Sequence, residues 1–121
     1  MTVDEIARDF TAMCKAGQLD EAGLKYWADD VVSIEPGGGE MALVQGQAAV
    51  IGKGQWFYEN HQVHATTTEG PYVDGDKFIV RFTMDLTPKG GERIQMDELG
   101  VYTVKDGTIV EERFIYAAPP A

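Results

Sequence analysis

The sequence predicts an α+β fold in which three helices of the first half pack on a curved, antiparallel or mixed sheet and enclose an apolar pocket containing carboxylates. Apolar residues recur at helical spacing only up to about residue 60, and beyond residue 61 they alternate in long runs separated by turn dipeptides. Length supplies the third observation, because 121 residues suffice for one core and not for two. The expected organisation is one domain over 1–121: helices and a short first strand over 1–60, a meander over 61–116 and a loose tail over 117–121.

Thr2 and Glu5 form a capping-box pattern, and Ile6, Phe10, Met13 and Cys14 follow at helical spacing until Gly17 can close the helix, which predicts helix one over about 3–16. Asp20 then caps a second helix whose apolar side includes Leu24, Trp27 and Ala28 and which ends near Asp29 and Asp30. Val31 to Ile34 reads as a short strand stopped by Pro36 and the glycines at 37–39, so Glu35 stands at a strand exit, where a side chain can be aimed into a cavity. Val50, Gly54, Phe57 and Tyr58 suggest a third helix from Gln47 to about Asn60, although Gly52 and Gly54 each cost it about 1 kcal/mol relative to Ala. Turns at Asp74-Gly75, Pro88 to Gly91 and Asp106-Gly107 divide the remainder into antiparallel strands.

Composition narrows the function. A hydrophobic share of 44% with 25% charged residues excludes a disordered chain. The net charge of −10 repels phosphate backbones and anionic lipid, which argues against nucleic-acid and membrane partners. No apolar run is long enough for a signal peptide or a membrane span, so the cytoplasm is the expected compartment. Cys14 has no partner for a disulfide and reads as a buried small hydrophobe.

The strand from Lys77 to Thr87 sets Phe78, Val80, Phe82, Met84 and Leu86 on one face and Ile79, Arg81, Thr83 and Asp85 on the other. On the next strand Ile94, Met96, Tyr102 and Val104 share a parity with Gly100 and with Glu98, which interrupts an apolar face. The last strand repeats this with Glu112 among Val110, Phe114 and Tyr116. Two carboxylates therefore point inward if register holds, and Glu35 joins them from the first strand; a one-residue bulge would instead turn Glu98 or Glu112 outward. A buried carboxylate must be paired, protonated or set in a wet cavity. His61 and His64 supply too few ligands for a metal, so none is expected; they fit a polar lining or a surface role, with acid–base work by one of them as the lesser reading. Outside, Ile79, Leu99, Val101 and Ile115 among Arg81, Thr83 and Arg113 make the sheet too apolar for a fully solvated surface and suggest a homodimer through that face.

The stretches "FTAMCKAGQLD", "YWADDVVSIEPGG", "GQAAV" and "VYTVKDGTIVEERFIY" resemble the SnoaL-like and ketosteroid-isomerase-like branch of the nuclear-transport-factor-like superfamily over almost the whole chain. The resemblance implies a cone-shaped, usually dimeric barrel whose cavity takes small apolar molecules. It implies that Glu35 in "SIEPGG" stands where the isomerases carry their general base. It also marks departures: Phe10 stands where those enzymes have an oxyanion-binding tyrosine, and their protonated aspartate falls near Gly100, with Asp97 and Glu98 close by. Trp27, Glu112, Phe114 and Tyr116 fall on wall positions.

The leading expectation is an isomerase- or cyclase-type enzyme that needs no cofactor. Glu35 is its base, and a neutral Glu98 or Glu112, or Tyr102, donates to the developing oxyanion. Phe10, Trp27, Tyr58, Phe82, Met84, Phe114 and Tyr116 are the expected substrate contacts. Two alternatives stand beside it: a non-catalytic ligand-binding or dimerisation module, and a hydrolase or dehydratase in which His61 or His64 works with a carboxylate and a tyrosine.

Overall fold

The computed structural model describes residues 1–117 and orders them as α1 (Val3–Lys15), α2 (Leu19–Tyr26), β1 (Trp27–Ile34), β2 (Leu43–Gln45), α3 (Gln47–Asn60), β3 (His61–Asp74), β4 (Lys77–Pro88), β5 (Ile94–Lys105) and β6 (Thr108–Ile115). Of the expected tail, residues 118–121 lie outside the described residues. Helix α1 has the capping box, with the Glu5 amide donating to Thr2 Oγ1 and the Thr2 amide to Glu5 Oε1. Its far end closes as Gly17 takes φ +78 and the Gln18 amide reaches back to the Met13 carbonyl. One face of this helix, Ile6, Ala7, Phe10 and Cys14, is buried.

The second helix differs from the sequence expectation. It stops at Tyr26, and Trp27 already belongs to β1, which starts four residues before the predicted Val31. Pairing explains this: Trp27 lies opposite Ile109 of β6, and extended backbone is needed to make that pair. The buried side of α2 is Ala22, Gly23 and Tyr26, while Leu24 is exposed. Tyr26 turns inward because its hydroxyl donates to Asp9 on α1, beside the Lys25 ion pair with the same carboxylate at 2.6 Å. Gln18, not Asp20, occupies the N-cap, without a side-chain hydrogen bond.

The six strands form one open mixed sheet in the order β2-β1-β6-β5-β4-β3. The parallel β1·β6 pair joins the two halves of the chain, and all other pairs are antiparallel. The short β2 strand is absent from the sequence expectation, since three residues carry too little periodicity to read. Strand β4 buries Phe78, Val80, Phe82, Met84 and Leu86, as its alternation requires. On β6 the expectation fails at one residue. The β5·β6 register shifts between Thr103 and Val104, so Ile109 is fully buried and Val110 is not, while Glu112 keeps its inward direction. The resulting layers, three helices against a curved six-stranded sheet that does not close, are an α+β cone-like fold. Among the described residues no helix is long and apolar enough to cross a membrane.

Candidate functional site

Between the inner sheet face and the helices lies a cavity of about 1090 Å³. Its position follows from register. Ser33 pairs with Glu112 across β1·β6, Glu112 with Tyr102 across β6·β5, and Tyr102 with Phe78 across β5·β4, so these four side chains form one transverse row on the inner face. Beyond Gly100, the next inward side chain of β5 is Glu98, opposite Phe82. Glu35 enters one residue beyond the end of β1, and α3 crosses above with Lys53.

These groups form a connected chain. Lys53 Nζ lies 2.8 Å from Glu35 Oε1 and donates to Ser33 Oγ at 2.7 Å. The Ser33 hydroxyl donates to Glu112 Oε2 at 2.7 Å, and the Trp27 indole N–H donates to Glu112 Oε1 at 2.8 Å. Both ends are groups that can only donate, an ammonium and an indole, so the direction of every bond between them is fixed. Burial raises the Glu112 carboxyl above its ordinary value, and the two donated bonds oppose that rise. Glu98 makes no side-chain hydrogen bond among the described residues. Burial first, then the charge of Glu35, pushes it up to about 7. Burial likewise holds the Tyr102 phenol well above its usual range, as it does Tyr116, with the Glu35 charge next in size for Tyr116 and Glu112 for Tyr102.

The walls are apolar. Phe10 stacks in a tilted pair on Tyr102 at 4.7 Å, and Phe114 meets the edge of the same ring. A methyl group at Gly100 would lie 2.9 Å from the Tyr102 hydroxyl, so glycine there lets this side chain fold back over its own strand. Phe82, Met84 and Leu86 continue the floor, while Tyr58 and Trp56 stand half exposed at the rim.

Glu35, Glu98, Glu112 and Tyr102 all border this one cavity, as do Phe10, Trp27, Tyr58, Phe82, Met84, Phe114 and Tyr116. The histidines separate: His61 borders the cavity, stacked on Phe57 at 4.3 Å with Nδ1 2.8 Å from the Phe57 carbonyl, whereas His64 sits outside against Thr87. Neither ring is hydrogen-bonded to a carboxylate among the described residues. Two residues escaped the sequence reading. Lys53 carried a faint signal, as the single cation in an otherwise uncharged stretch of helix between two glycines; Ser33 carried one as the polar member of a β-branched run. Among the described residues no group of three metal-ligating side chains converges.

Residues 1–116 match the family described as "SnoaL-like domain". A solved structure from Mesorhizobium loti, described provisionally as a SnoaL-like polyketide cyclase and, in brackets, as a carbohydrate phosphatase, is 54% identical over 96% of this chain and 100% of its own, with a TM-score of 0.93. A Bacillus subtilis structure described provisionally as an isomerase is 21% identical over 97% of this chain and 90% of its own, at TM-score 0.72. An NTF2-like protein from Burkholderia pseudomallei is 16% identical over 97% and 92%, at TM-score 0.73. No curated protein matches the chain. With the family matched over nearly its full length and a relative more than half identical across the same span, the chain belongs to the SnoaL-like domain family.

Proposed function

We propose that this protein catalyses a cofactor-free proton transfer of the isomerase or cyclase type on a small hydrophobic carbonyl compound. One observation carries the reading: two carboxyl groups share the cavity in opposite surroundings, Glu35 in an ion pair with Lys53 and Glu98 without a partner and pushed up to about 7. Environments that separate two titratable groups in this way assign a base and an acid. Glu35 removes the proton from carbon next to the carbonyl, and the C–H electron pair becomes a C=C bond as the carbonyl π pair moves onto oxygen. The neutral Glu98 carboxyl, or the Tyr102 phenol, donates a hydrogen bond to that oxygen. Return of the proton to a different carbon gives an isomer; attack of the enolate carbon on a second carbonyl gives a ring, that carbonyl's π pair moving onto its oxygen, which takes the proton back from Glu35; neither outcome changes the oxidation state.

The polyketide-cyclase description of the Mesorhizobium loti protein and the isomerase description of the Bacillus subtilis protein are compatible with this class. Phosphate-ester chemistry is disfavoured by charge, since the one lysine or arginine among the described lining residues, Lys53, is already paired with Glu35 and leaves little positive charge for a phosphate dianion. The test is α-proton exchange into D2O, followed by NMR for a panel of hydrophobic ketones. Acceleration by the protein that falls at least about 100-fold in Glu35→Gln supports the assignment, and acceleration untouched by that change removes Glu35 from it. A non-catalytic binding pocket is favoured by the same Lys53 contact, because the ammonium occupies a Glu35 oxygen that a base must present to substrate. In that case ketones bind and exchange at the solvent rate.

A further inference from the structure

Lys53 reaches the cavity from α3 with its side chain only 12% exposed. An ammonium has three N–H donors and no acceptor. Two are committed, one to Glu35 Oε1 at 2.8 Å and one to Ser33 Oγ at 2.7 Å. Ser33 cannot turn away, since its own hydrogen is given to Glu112, whose other oxygen is held by Trp27. The ammonium also lies 5.1 Å from the Phe114 ring centroid, above an aromatic face that favours a cation, and Lys53 is itself part of the cavity lining. The nitrogen is therefore fixed from three directions with a donor to spare.

We propose that Lys53 joins Glu98 or Tyr102 in receiving a ligand's oxygen anion, offering its third N–H to an enolate, phenolate or carboxylate oxygen carried on an apolar ring system. This rests on the carbonyl-substrate reading above and deepens it, since an enolate oxygen formed beside Glu35 is within reach of the cation that Glu35 holds. The apolar walls select the ring system, and the ammonium selects the oxygen. The charged groups acting on Lys53 are Glu35 from the end of β1, Glu98 from β5 and Glu112 from β6, while Asp20, Tyr58, His61, Tyr102 and Tyr116 line the same cavity and Cys14 of α1 lies behind Glu112. The three glutamates are neutral or negative, so an anionic ligand binds best while Glu98 is protonated and loses affinity as the pH passes about 7.

The experiment titrates the protein with 4-nitrophenol, whose anion and neutral form differ in absorbance. At pH 6 the bound probe is expected as the anion; Lys53→Met weakens binding at least about tenfold and returns the bound spectrum to neutral phenol, and Lys53→Arg keeps the anion. An unchanged spectrum and affinity in Lys53→Met overturns the proposal. Glu35→Gln guards against misfolding of the lysine variant: it replaces the competing carboxylate by a neutral amide, a weaker acceptor without the negative charge, so it should tighten nitrophenolate binding, and weaker binding there also overturns it. Tight anion binding that needs Lys53, in a protein that never accelerates ketone exchange, upholds Lys53 and sinks the proton-transfer reading. Loss of exchange in Glu35→Gln with exchange and anion binding intact in Lys53→Met does the reverse.

Discussion

The indole nitrogen of Trp27 donates to Oε1 of Glu112 at 2.8 Å, joining residues 85 positions apart at the parallel β1·β6 junction. Glu112 is 6% exposed, and a buried carboxylate without donors is far costlier than one with two. Trp27 and Ser33 satisfy one oxygen each. The pair thus closes the wall of the cavity and sets the direction of the carboxylate behind it.

Gly23 makes that geometry possible. A Cβ at this helical position would lie inside the Trp27 ring, which packs back over α2 one turn earlier. Gly23→Ala improves intrinsic helix propensity by about 1 kcal/mol, yet it must displace the indole and strand one Glu112 oxygen. The expected net result is a loss of about 2 kcal/mol in urea unfolding, with a red shift of tryptophan emission. A gain in stability would show that the indole can move without cost.

Ser33 is 0% exposed and accepts from Lys53 while donating to Glu112. Ser33→Ala leaves a carboxylate oxygen and an ammonium each short of one partner, for about 1–3 kcal/mol of lost stability. It should also move the Glu112 carboxyl further up, because one of the two bonds that hold it down is gone. Side-chain carbon NMR titration of Glu112 reads this directly, and Ser33→Thr should restore most of it.

How much of this was legible in the sequence depended on whether neighbours in sequence decide the outcome. The β4 face and the capping box of α1 were, since alternation and local hydrogen bonds settle them. The start of β1 at Trp27 was not, because it is imposed by Ile109, 82 positions away on β6, against a local pattern that continues the helix. Val110 failed for the same kind of reason, a bulge opposite Thr103 and Val104. At the site, the inward parity of Glu98 and Glu112 could be read, and so could the exit position of Glu35. Lys53 and Ser33 could not, because their importance lies in a chain of contacts spanning α3, β1 and β6.

Gly100 and Tyr102 allow a sharper dissection of the polar wall. The ring of Tyr102 packs on Phe10 and Phe78 and is 1% exposed, and its hydroxyl lies where a side chain at position 100 would go. Gly100→Ala should cost about 1–3 kcal/mol by overpacking. Tyr102→Phe keeps the packing and removes only the hydroxyl, so its stability should stay within about 1 kcal/mol of the parent. If Tyr102 donates to a developing oxyanion, ketone exchange falls in this variant with little change in ketone affinity; a fall in affinity alone assigns the hydroxyl to binding.

Glu98 should leave its mark on stability as well as on chemistry. Its carboxyl is raised from 4.5 to about 7 by burial and by Glu35, so between those values the folded chain holds a proton that the unfolded chain has released. Folding then takes up a proton, and stability falls as the pH rises through this window. Below pH 4.5 both states are protonated and the residue contributes nothing to the slope; above pH 7 both are ionised and the whole penalty is present. At about 1.4 kcal/mol per pH unit the loss reaches roughly 3 kcal/mol. Glu98→Gln cannot ionise, so its melting temperature should exceed that of the parent at pH 8 and converge with it near pH 4.5. Glu112 is raised in the same direction and remains in the variant, which leaves a shallower slope of the same sign. Parallel curves of melting temperature against pH for the two proteins would mean that Glu98 meets bulk water and does not titrate as a cavity acid.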